Sequence, residues 1–194
     1  TTISGPFDRW PDLQGFDHFF GFVGGEANQW APGLYRDHHR VEMEIPKGME
    51  GRYTLNDALA DETIDLIYQQ KSVTPNRPLF IYFAPGATHA PHHVPKAWIA
   101  RWKGKFDQGW DKLREETLAR QISMGVVPKG TKLAPKPAAI KDWNTLSADE
   151  KKLFTRQAET FAGFLEYTDH EVGRMLQSID DIGEMDNTLV FDIA

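Results

Sequence analysis

From Leu55 the chain sets apolar residues at helical spacing, with Leu55, Leu59, Leu66 and Ile67 on a face and Asp57, Asp61, Glu62 and Asp65 between them. The spacing predicts an amphipathic helix over 55–71, with acids early and Lys71 late, as the macrodipole favours. A turn-rich stretch over 72–77 leads into Pro78-Leu79-Phe80-Ile81-Tyr82-Phe83-Ala84. That apolar, aromatic run is too short for a typical helix and reads as a buried strand. Short helices over 96–103 and 109–124 follow, then a Pro- and Lys-rich surface connection over 127–141. Ser147-Ala148-Asp149-Glu150 is a capping box, and behind it Phe154, Ala158, Phe161, Leu165, Thr168, Val172, Leu176 and Ile179 recur at spacings of four and three. A long helix over 147–182 is predicted, closed by Gly183 at C′. Asp186-Asn187 then turns into a second strand, Thr188-Leu189-Val190-Phe191. The order strand, helices, strand implies a parallel crossover and an α/β fold with a parallel or mixed sheet flanked by helices.

The first fifty residues show neither period. They are dense in Gly, Pro and rings: Gly5-Pro6-Phe7, Trp10-Pro11, Phe16, Phe19-Phe20-Gly21-Phe22, Gly24-Gly25, Trp30 and Tyr35. Such a stretch is expected as ordered loop with short helical turns, its rings supplying buried area.

Composition narrows the function. Among 194 residues, 22 Lys and Arg against 28 Asp and Glu give a net charge of −6. That balance argues against nucleic acid or an anionic membrane surface as partner, since either needs a concentrated basic field. A mean hydropathy of −0.51 and no apolar run of spanning length suit a soluble chain, in cytoplasm or periplasm, and oligomeric state is left open. With no cysteine, these residues contain neither a thiol nucleophile nor a thiolate metal site.

Three of the seven histidines, His89, His92 and His93, sit in the loop Pro85–Pro95 after the first predicted strand, the sheet edge where α/β proteins bind ligands. Imidazole can ligate a metal or move a proton near neutral pH. On a loop broken by Pro91 and Pro95, however, His-x-x-His-His lacks the helical geometry of a zinc pair. His38-His39, between Arg36-Asp37 and Arg40, reads as a polar loop. Asp180-Asp181 and the trio Asp57, Asp61, Asp65 read as solvated helix faces rather than a cation site. Neither a phosphate-binding glycine loop nor a nucleophile elbow occurs.

Four ordered blocks resemble the arylsulfatases of the type I sulfatase family, within the alkaline-phosphatase-like superfamily. They are Gly15 to Phe22 running into Gly24-Gly25-Glu26-Ala27-Asn28-Gln29-Trp30, Pro78 to Pro95, Lys103 to Asp111, and Val172-Gly173-Arg174 through Gly183 to Phe191. The resemblance implies that residues 1–194 form the central part of one sulfatase catalytic domain, acting on a small-molecule sulfate ester. It implies calcium and formylglycine as the cofactors of the full-length protein. His89, in the family's His-x-Pro loop, is implied as the catalytic residue that protonates the departing alcohol or phenol, with His92 and His93 shaping the loop.

The departures are as informative. The family's formylglycine motif, Cys or Ser then x-Pro-x-Arg, is absent and would be expected before Thr1; Val73-Thr74-Pro75-Asn76-Arg77 has its shape by coincidence in a turn, and valine cannot become an aldehyde. The N-terminal acidic pair and Lys-x-His motif are missing too, and the metal-binding Asp-Asn-Gly would be expected after Ala194. The chain alone is therefore expected to be inactive, with exposed sheet edges. Three other readings are a non-catalytic binding module, a phosphate or phosphonate ester hydrolase of the same superfamily, and a metalloprotein on His89, His92 and His93.

Overall fold

The helix expected from Leu55 forms as α1, Leu55–Val73, and its start explains itself locally. Thr54 in extended backbone accepts from the Asn56 amide, while Asp57 reaches back to the Thr54 N–H at 2.6 Å. That reciprocal box satisfies donors every helix start leaves orphaned. The computed structural model describes residues 2–193; Thr1 and Ala194, the ends of the expected 1–194 span, lie outside the described residues. Three further helices follow: α2, Lys96–Arg101, α3, Gly109–Ser123, and α4, Ala148–Asp181. Ser147 and Glu150 exchange the predicted capping bonds at 2.8 and 3.2 Å. At the far end, Glu184 N donates to Ile179 O and Gly183 N to Asp180 O, with Gly183 at φ 73°. This is a Schellman close, and glycine carries its left-handed residue at no steric cost.

Chain contacts group the protein into two compact units, Thr1–Pro95 with Phe164–Ala194, and Lys96–Gly163. In the first unit the structure corrects the expectation for the first fifty residues. A three-stranded antiparallel sheet runs through them, β1 (Phe20–Gly21), β2 (Leu34–Arg36) and β3 (His39–Val41), in the order β1-β2-β3. Tyr35 faces Arg40 across β2 and β3, and Phe20 faces Arg36 across β1 and β2. Asp37-His38 forms the two-residue turn, with Asp37 at φ 53° and its carboxylate accepting from Phe19 N at 3.0 Å. Strands of two and three residues are too short to show a period of two, so no alternation marks them in sequence.

The strands expected at 78–84 and 188–191 do not form: both segments carry no ladder, and every strand pair among the described residues is antiparallel. The fold is α/β, but without the expected parallel crossover. Apolar character had signalled burial, yet Phe80 is 80% exposed, Tyr82 76% and Phe191 78%. A parallel strand needs partners on its hydrogen-bonding edges, and among the described residues neither segment has one. Phe83 alone turns inward, packing on both apolar clusters of the unit: Leu34, Leu55 and Leu59 in one, Ile67, Met175 and Ile179 in the other. Asp192, which a buried strand would have held at a cost, is exposed.

Asp57 is also corrected. It belongs to no solvated face, being 7% exposed and hydrogen-bonded to the Tyr167 hydroxyl. That hydroxyl lies 3.0 Å from Thr54 Oγ1, and Asn56 Nδ2 donates to Thr168 Oγ1 at 3.0 Å. Arg174 spans Asp61 and Glu171, and Tyr53 donates to Asp61 at 2.9 Å. Burial pushes the Tyr167 hydroxyl and the Glu171 carboxyl up, so the network holds Tyr167 as a donor.

The second unit is built on rings. Trp110 meets Trp143 edge-on at 4.8 Å and Phe154 at 5.3 Å. Gly163 of α4 lets α2 approach so closely that a Cβ there would lie 2.9 Å from Ile99 N. The loop before α4 is clamped by Lys136, which donates to Asp111 at 2.7 Å and to Asp142 at 2.5 Å, while Asp111 also accepts from Trp143 N at 2.8 Å. The Lys136 hydrogen bond holds the Asp111 carboxyl below its ordinary range, and the Ser147 amide does the same for Glu150. A lowered folded-state value means that this contribution is present above the unfolded pKa of about 3.9–4.3 and is lost as pH falls through the folded values. We expect the urea midpoint of this unit, followed by near-UV circular dichroism of the tryptophan pair, to drop as pH is lowered past 4. Asp111→Asn flattens that dependence, and an unchanged slope in the variant contradicts the assignment.

Candidate functional site

His89 is carried on a tight turn built against the N-terminal loop. The turn closes where His89 N donates to Gly86 O at 2.9 Å. Gly86 itself is pressed against the Phe22 ring: a Cβ there would lie 2.9 Å from Phe22 Cζ and 3.7 Å from Gln29 Nε2. Only glycine permits that approach. Gln29 is 1% exposed, and its backbone carbonyl accepts from Leu55 N at 2.8 Å, fastening this loop to the first turn of α1. Asn28 Oδ1 accepts from Trp30 N and Ala31 N at 2.9 and 3.1 Å, a local turn that shapes the same loop.

The imidazole of His89 is 62% exposed, and Nδ1 lies 2.8 Å from Ala90 O and 3.5 Å from Glu26 Oε2. A carbonyl can only accept, so Nδ1 carries the hydrogen and Nε2 is the ring atom left to exchange a proton. This arrangement suits an acid-base group open to a ligand from solvent.

The other histidines go elsewhere. His93 N donates to Pro91 O at 2.8 Å, with its Nδ1 buried, and the His92 ring stands edge-on to Phe164 at 6.4 Å. Among the described residues no three His, Asp or Glu converge to hold a metal, so the trio His89, His92 and His93 is not brought together as one. His38 and His39 occupy the β2–β3 turn; His38 Nδ1 lies 2.9 Å from Asp12 Oδ2 and the ring stacks on Phe7 at 5.1 Å. The calcium and formylglycine of the resemblance do not fit these residues. Among the described residues no acidic cluster would hold the ion, and Val73, exposed at the end of α1, has no thiol or hydroxyl to convert to an aldehyde. Sequence reasoning passed over Glu26 and Gln29, although both lie in the block Gly24 to Trp30; a carboxylate and an amide among glycines was the available signal.

Comparison with known proteins gives one consistent result. The sequence model of the sulfatase family, described as "Sulfatase", matches residues 4–194. An uncharacterized sulfatase of Schizosaccharomyces pombe is 30% identical over 211 residues, covering 98% of this chain and 37% of that protein. A Klebsiella aerogenes arylsulfatase is 24% identical over 192 residues, covering 93% of this chain and 39% of its own length. The chain thus spans under two fifths of the curated relatives it matches. No helix among the described residues is long and apolar enough to cross a membrane.

Proposed function

This chain belongs to the sulfatase family, and from that premise we propose that the protein carrying it hydrolyses small-molecule sulfate esters of the aryl type, with His89 as the acid that protonates the leaving oxygen. The observation that carries the reading is the 2.8 Å contact of His89 Nδ1 with the Ala90 carbonyl, which leaves Nε2 for substrate. As the bond from sulfur to the ester oxygen breaks, that oxygen takes the bonding electron pair and the Nε2 proton, and an alcohol or phenol departs from a neutral ring.

Calcium in such an enzyme would neutralise sulfate charge and formylglycine would supply the attacking oxygen; neither finds its residues among the described ones, so the isolated chain is proposed to be inactive. A sulfate-binding module without turnover is the second reading, favoured by Val73 standing where the nucleophile string would need a Cys or Ser.

The test is to incubate the full-length protein with 4-nitrophenyl sulfate and with 4-nitrophenyl phosphate, measuring released sulfate and phosphate by ion chromatography. Sulfate release in excess is expected. Preferential phosphate release would move the protein to the phosphatase side of the superfamily, and no turnover with His89-dependent sulfate binding would establish the binding module.

A further inference from the structure

We propose that Glu26 is a positioning residue for His89, holding the imidazole with Nδ1 inward and Nε2 toward substrate; the kinetic part of this inference rests on the sulfatase reading above. Two exposed side chains that meet by chance at 3.5 Å would mean little, because both lose rotamer freedom for a screened attraction. Here the approach is set by the anchors of the loop that carries Glu26. Phe22 and Gln29, which flank Glu26 in the chain, both pack at Gly86, and Gly86 O anchors the turn that carries His89. Gln29 is in turn tied to α1 through Leu55 N. The loop from 22 to 29 is therefore pinned at both ends beside the histidine turn, and Glu26 lies between the pins.

The carboxylate acts on one edge of the ring. Nδ1–H donates to Ala90 O at 2.8 Å, and Glu26 Oε2 stands 3.5 Å from the same nitrogen. A ring flipped about its Cβ–Cγ bond would bring Cδ2, which has no N–H to donate, to the carbonyl and the carboxylate, and lose that bond. Glu26 thus adds a penalty to the flipped and to the alternative-tautomer states. No contact of Glu26 with substrate is needed for this effect.

The experiment uses the full-length protein with Glu26→Ala, His89→Ala and the double variant. Glu26→Ala is expected to lower kcat for phenyl sulfate, whose leaving phenolate is basic, roughly tenfold, the range seen when a metal-binding histidine loses its orienting partner, with KM within about twofold. 4-Nitrophenyl sulfate, whose leaving oxygen needs little protonation, is expected to be much less affected. The double variant should be no slower than His89→Ala alone. Losses that add, or that are equal for both esters, overturn the proposal. Ring 15N shifts of His89 provide a readout independent of turnover: Glu26→Ala should reduce the Nδ1–H form. An unchanged ring spectrum overturns the positioning role whether or not any sulfate ester is a substrate. If the ring spectrum shifts but the wild-type protein cleaves no sulfate ester, the sulfatase reading fails and the positioning stands.

Discussion

His89→Ala in the full-length protein is expected to cut kcat on an aryl sulfate with a basic phenol leaving group by about 10²–10⁴-fold, the usual contribution of a positioned general acid. The loss should shrink as the leaving group improves. A basic phenolate departs poorly without a proton, whereas 4-nitrophenolate leaves as the anion at little cost, so a missing donor is felt most where the departing oxygen is most basic. The measurement is kcat across a series of aryl sulfates of rising phenol basicity, in wild type and variant. A steeper dependence in the variant supports protonation by His89; parallel lines would assign it to binding instead. Folding is not the limiting concern, since the ring is largely solvent-exposed and its fixed contacts are at one nitrogen.

Gly109→Ala is expected to unfold, or nearly unfold, the unit Lys96–Gly163. Gly109 opens α3 at φ 76°, where a Cβ costs about 1–2 kcal/mol by itself. The Cβ would also lie 2.1 Å from Trp143 Cδ2 and 2.2 Å from Cγ, so the indole ring must leave its place. Trp143 cannot leave freely, because its amide is bound by Asp111 and its ring stacks edge-on with Trp110. Overpacking of this kind adds about 1–3 kcal/mol. Together the two effects approach the 5–15 kcal/mol that holds a whole domain folded. A loss of the tryptophan near-UV signal, with a urea midpoint shifted far below wild type, is the expected result. A midpoint within error of wild type would mean that Trp143 does not pack on Gly109.

What could be read from the chain followed the range of the interactions involved. α1, α3 and α4 were legible to within about two residues, as were the Ser147 box and the Gly183 close, because each is written in four or five neighbouring residues. The family was legible because ordered blocks carried it. The hairpin at Asp37-His38 was hidden by the brevity of its strands. The runs at 78–84 and 188–191 look like strands by composition, but a ladder is a property of two segments, and the second is not readable from the first. Asp57 was mistaken for a surface acid because its partner, Tyr167, lies 110 residues away. Glu26 was silent for the same reason: its importance comes from Gly86 and His89, which fold back onto it.

The distance between Asp57 and Tyr167 also sets an order of events on the ribosome. Thr54, Asn56 and Asp57 emerge with the start of α1, while Tyr167 and Thr168, which satisfy them, are made only after the whole of Lys96–Gly163. That intervening unit is contiguous in sequence and has all its own ring contacts available as it is made. The first unit is discontinuous: the α1 cap closes locally, but the contacts of Thr54, Asn56 and Asp57 with Tyr167 and Thr168 wait through more than a hundred residues of synthesis, with the closure entropy of that long loop still to be met. During translation the unit Lys96–Gly163 is thus able to form while the His89-bearing unit still waits for the second half of α4.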